Sequence, residues 1–183
     1  MTDALVCAYY GLDKQDSALI QDTYRYILPS IQPRRSAGLQ VIWDNSRSEL
    51  RAAYASMLCD ALKPWFNTTV SASLAAKSSD MAVLKLTLRG RGKDQGLYEE
   101  NSAADFDLFI RNVSSSLPVR LPGNVQLIPD LRFIIGNDMY LVKPIQVRHW
   151  LRSTALADAE QIAAELSAMI AREPNLEPRN AGR

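Results

Sequence analysis

The residues best suited to chemistry gather between positions 140 and 162: Lys143, Arg148, His149, Trp150 and Arg152. If residues 147–154 form a strand, Arg148, Trp150 and Arg152 share one face, because side chains alternate along a strand. An arginine–tryptophan–arginine face can stack a nucleobase and clasp phosphates, with Lys143 close by across Pro144. The plainer alternative is that arginine lies on tryptophan simply to cover it from water. His149 is the only histidine of the chain, so no histidine pair can form, and no cysteine or carboxylate stands at zinc spacing from it. Its ordinary pKa would suit a general base, but a strand histidine packed beside Trp150 is the expectation.

Three further patterns invite chemistry and fall short of it. Arg89-Gly-Arg-Gly-Lys93 is a basic, flexible run in which glycines let backbone amides approach a phosphate, so Arg89, Arg91 and Lys93 join the candidate nucleic-acid contacts. Its lysine is not followed by serine or threonine, so it is no Walker loop. Pro129-Asp130, Asp138 and Lys143 distantly match the acidic pair and lysine of metal-dependent nucleases, but the spacing from Asp138 to Lys143 is wrong for that site. No serine sits in a Gly-x-Ser-x-Gly elbow, and no glycine-rich dinucleotide fingerprint occurs. The residues therefore predict no catalytic set, no metal site and no cofactor.

The elements that must position these residues follow from periodicity. A first helix is predicted over residues 12–28, capped by Asp13 or Asp16 and broken by Pro29. The apolar run Leu5 to Tyr10 precedes it and reads as a helix that packs on something outside the chain. Ser46-Arg-Ser-Glu49 has a capping-box pattern, and Leu50, Tyr54, Met57, Leu58, Ala61, Leu62 and Trp65 make one apolar stripe behind it. Alternation over residues 69–76 and 84–89 predicts an antiparallel hairpin turned at Ser78-Ser79-Asp80. A helix capped by Ser102 should bury Phe106, Phe109, Ile110, Val113 and Leu117. Residues 127–135 and 139–145 flank Gly136-Asn137-Asp138 as a second hairpin, residues 147–154 add a strand, and a last helix spans about 158–171. The expected fold is α+β, an antiparallel sheet of about five strands with helices packed mainly on one face. Its organisation is a docking helix and connector (1–36), an accessory domain (37–172) and a tail (173–183).

Bulk properties narrow the function classes. A formal net charge of +1 supplies no global field for nucleic acid or an acidic membrane. Two cysteines, Cys7 and Cys59, in apolar helical settings suggest reduced thiols. No apolar run approaches the roughly 20 residues of a membrane span, and no signal peptide is evident, so a cytoplasmic location is expected.

The opening Asp3-Ala-Leu-Val-Cys-Ala-Tyr-Tyr-Gly-Leu-Asp13 and following residues to Ile20 resemble a stretch near the end of bacterial DNA-adenine methyltransferases. Leu121-Pro-Gly-Asn-Val-Gln-Leu-Ile-Pro-Asp-Leu-Arg-Phe and the segment 140–162 also resemble the C-terminal region of large, defence-associated class I members of that family. Those enzymes bind S-adenosylmethionine through a glycine-rich loop and hold the flipped adenine with an Asn/Asp-Pro-Pro-Tyr/Phe motif. Neither motif occurs here. The resemblance implies a non-catalytic accessory domain of a DNA modification-restriction system. Its partner would be a methyltransferase or a helicase/nuclease subunit, with DNA as a second candidate ligand. The alternatives are a pure protein–protein interaction module and, further off, a metal-dependent nuclease.

Overall fold

A computed structural model describes residues 2–32, 38–66, 70–87, 104–116 and 131–172. Its order is α1 (Thr2–Tyr9), α2 (Lys14–Asp22), a π-helical turn (Thr23–Ile27), α3 (Leu28–Ile31), α4 (Ser48–Phe66), β1 (Ser71–Lys77) and β2 (Met81–Thr87). There follow β3 (Ala104–Asp105), α5 (Phe106–Ser116), β4 (Leu131–Ile135), β5 (Asp138–Pro144), a 3-10 turn (Val147–His149) and α6 (Arg152–Arg172). The five strands form one sheet in the order β3-β1-β2-β5-β4, antiparallel except for the short β1–β3 pair. This is the expected α+β architecture, with one parallel pair added.

The period-two patterns decide which helix covers which face. Ala82, Leu84 and Leu86 of β2 and Met139 and Leu141 of β5 point to one side. There they meet Tyr54, Leu58 and Leu62 of α4, Leu151 just ahead of α6, and Ala155, Ala159 and Ile162 of α6. Val83 and Val142 point the other way, against Phe106 of α5. A bulge between Leu74 and Ala76 lets β1 serve both faces, since one extra residue moves Ala76 to the α5 side. Helices thus lie mainly on one face, with α5 as the exception.

Several expectations change. Residues 147–154 are not a strand: the chain makes a 3-10 turn at Val147–His149 and enters α6 at Arg152. Asp22 makes that early start possible, accepting from the Ser153 N–H at 2.8 Å and so satisfying a free donor at the helix N-terminus. Asp105 caps helix α5, its Oδ1 accepting from the N–H groups of Asp107 and Leu108 at 3.0 and 3.1 Å; Ser102 lies outside the described residues. Leu117 also lies outside the described residues. Trp65 is exposed rather than part of the apolar stripe, and α4 runs through Pro64 to Phe66.

Pro29 does not stop the first long helix; the helix absorbs it. Proline has no N–H to donate and its ring crowds the carbonyl four residues back, which is Arg25. The turn ahead of it widens, with the Leu28 N–H reaching back to the Thr23 carbonyl, and helical geometry resumes to Ile31. Asp13 caps α2, and its capping box with Asp16 is complete. Ala18 belongs to the main core, so α2 is joined to the rest of the domain.

Candidate functional site

The segment 140–162 is a structural keystone, with Lys143, Trp150 and Asp158 turned inward. Lys143 is 1% exposed and shares the α4/α6 face of the sheet with Leu141. Its Nζ donates to Asp158 of α6 and, at 3.3 Å, to the hydroxyl of Tyr54 of α4. The Tyr54 hydroxyl also donates to Asp158, and Arg132 of β4 reaches the other carboxylate oxygen at 3.4 Å. Arg132 further bonds Gln161 at 2.6 Å and Glu165 at 2.9 Å. Buried charge is tolerable only when paired and hydrogen-bonded, and this cluster meets that condition by joining a strand to two helices.

Trp150 is fully buried, edge-on to Tyr54 with ring centroids 5.2 Å apart, and its indole N–H donates to the Pro144 carbonyl at 2.8 Å. Arg152 donates to Gln21 at 3.0 Å and Asp22 at 3.3 Å, holding α2 against α6. The expected arginine–tryptophan–arginine face therefore does not exist. Without a strand the three side chains diverge, two of them into internal contacts. Lys143 and Trp150 have no solvent face to offer a phosphate or a base. Arg148 alone is exposed, and its guanidinium lies 4.7 Å from the ring centre of Trp43, another exposed residue. His149 accepts from Arg148 Nε at 3.0 Å. Arg89, Arg91 and Lys93 lie outside the described residues, as does Asp130. Asp138 bonds Thr87 and Lys85, both at 2.8 Å, on the face of β5 opposite Lys143, so the nuclease-like pairing of those two does not form.

Among the described residues no group of three or more metal-ligating side chains comes together. Cys59 is buried, and that burial, aided by the Asp60 charge and slightly offset by Lys63, pushes its thiol up to about 11. At neutral pH it stays protonated and is a poor nucleophile.

The surface that does stand out is formed by α1 and α2, the latter held to α6 by the Asp22 contacts with Arg152 and Ser153. Helix α1 ends in a Schellman motif: Gly11, at φ +65°, and Leu12 donate back to Ala8 and Cys7 at 3.3 and 2.9 Å. That turn sets α1 beside α2, leaving Leu5, Tyr9, Tyr10, Leu19, Ile20 and Tyr24 all more than half exposed. Between the two helices runs a groove of about 500 Å³ lined by Val6, Leu12, Ile20 and Tyr24. Large exposed apolar patches mark interaction sites far more often than scattered surface residues do.

A second cleft, of about 730 Å³, opens beyond Tyr24 and Arg25, which line both cavities. One wall is the π-helical turn with Leu28 and Pro29; the other is the loop from Gly38 to Arg47. Ser30 ties the walls together, donating to the Tyr26 carbonyl while accepting from the Ile42 N–H at 3.0 Å. Tyr24, Arg25, Trp43 and Arg47 were not evident as site residues in the sequence. Tryptophan in a polar loop, and tyrosine and arginine flanking a proline, were the only signals available.

Comparison with protein-family models, with curated proteins and with solved structures found no match to this chain. Among the described residues no helix is long and apolar enough to cross a membrane.

Proposed function

We propose that this chain is a non-catalytic interaction module that docks on a partner protein through the α1–α2 surface. The observation that carries the reading is α1 itself. It is 8 residues long, and Leu5, Val6, Tyr9 and Tyr10 are 73%, 48%, 84% and 71% exposed. Isolated helices shorter than about 12–15 residues are marginal in water, so α1 needs a surface to lie on. The sequence resemblance supports one class of partner, a methyltransferase or helicase/nuclease subunit of a bacterial DNA modification-restriction system.

The test is capture of the tagged chain from its own host after nuclease treatment, beside a Leu5→Asp, Tyr9→Asp variant. The reading requires a methyltransferase or helicase subunit with the parent chain and its loss with the variant. Recovery of nucleic acid without a protein partner, or equal capture by both chains, would contradict it. A DNA contact is the second reading, favoured by the exposed Arg148–Trp43 pair, since arginine and aromatic rings together suit phosphate and base. Salt-sensitive DNA binding lost in Arg148→Ala, Trp43→Ala is the expected result; binding unchanged by that pair of substitutions removes this reading.

A further inference from the structure

We infer that the cleft between the π-helical turn and the 38–47 loop receives an acidic peptide segment of a partner protein, with Arg25 and Arg47 as its carboxylate receptors. This deepens the interaction reading by naming the chemistry of what is bound. Three observations carry it. The lining holds two arginines and no carboxylate among the described residues. Neither guanidinium has a hydrogen-bond or ion-pair partner among the described residues, unlike Arg132 and Arg152, which are both committed to acids. Tyr24, Leu28, Pro29 and Leu39 supply apolar walls between the charges, as a peptide with both acidic and apolar side chains needs. Arginine's planar fork matches a carboxylate with two parallel hydrogen bonds.

Nucleic acid is the less suitable occupant. Its affinity rises with the number of phosphates neutralised along a track, and this cleft offers two cations among the described residues, on a chain of net charge +1. Continuity supports a peptide as well: the cleft meets the apolar α1–α2 groove at Tyr24 and Arg25, so one extended segment can occupy both.

The experiment is fluorescence anisotropy of a labelled random Glu–Tyr copolymer titrated with the full chain, with oligo(dT) and inorganic phosphate as competitors. The expected result is binding that weakens as NaCl rises from about 50 to 300 mM. It should fall about tenfold or more in Arg25→Glu, Arg47→Glu, and neither competitor should displace the copolymer. Arg25→Gln with Arg47→Gln gives a milder loss should the reversed chain fail to fold. Leu5 and Tyr9 line neither cavity, so in the Leu5→Asp, Tyr9→Asp background the reversal of Arg25 and Arg47 should still lower copolymer binding about tenfold, and the cleft and the α1 docking surface fail separately. No copolymer binding, binding indifferent to Arg25 and Arg47, or displacement by oligo(dT) that depends on those arginines would each overturn the inference.

Discussion

Two regions of this molecule invert the usual disposition of charge and apolar surface. Between the sheet and helices α4 and α6, a lysine, an aspartate and a tyrosine hydroxyl are sealed from water and bonded to one another. Along α1 and α2, by contrast, leucine, isoleucine and tyrosine side chains stand in solvent. The basic segment expected to be a binding face holds the fold together, while the apolar run Leu5 to Tyr10, expected to pack outside the chain, stands exposed. What decides the difference is the availability of partners. Lys143 meets an acid and a hydroxyl within its own chain, whereas α1 meets α2 through Cys7 and Ser17 and leaves Leu5 and Tyr9 in solvent.

The sharpest way to break this comparison is to unpair the buried cluster. Asp158→Ala leaves Lys143 buried without its carboxylate and should cost about 3–5 kcal/mol in denaturant unfolding. A cost below about 1 kcal/mol would mean the cluster is hydrated and open. Ser30→Ala should cost about 1–2 kcal/mol, because the part-buried Ile42 N–H loses its acceptor. It should also unseat the 38–47 loop, read as a change in the environment of exposed Trp43.

Asp60→Asn tests the join between α2 and α4, where Lys14 and Lys63 donate to Asp60 at 2.8 and 2.7 Å. Those hydrogen bonds hold the Asp60 carboxyl below its usual range. A depressed carboxyl stabilises the fold above the unfolded-state pKa and ceases to do so as pH falls through the folded-state value. The substitution should therefore cost about 0.2–1 kcal/mol at neutral pH, with the difference vanishing in acid. The smallest effect on stability belongs to Leu5→Asp, Tyr9→Asp, which should stay within about 0.5 kcal/mol of the parent by thermal melting while removing partner capture.

Much of the fold was legible because its signals are local. Alternating leucines and alanines marked β1 and β2, Gly136-Asn137 marked the second hairpin, and Asp13 marked the start of α2. What was hidden depends on residues far apart in sequence. Helix α6 begins at Arg152 because Asp22 caps it from 130 residues upstream, and no local pattern can carry that information. Residues 147–154 misled because alternation over a few positions fits a strand and a tight turn equally well. Strand β3 is two residues long and too short to have a period. The arginine cleft is assembled across 22 positions by the Ser30–Ile42 bond, so neither Arg25 nor Arg47 could be singled out beforehand.

Hydrogen exchange on the full chain alone, resolved by peptide, tests the central claim most directly. Amides of α1 should exchange at nearly the rate of an unstructured peptide, while those of β2, β5 and α4 open only with global unfolding. Protection of α1 comparable to α4 in the isolated monomer would show that the chain already holds this helix, and the docking surface would be no such thing.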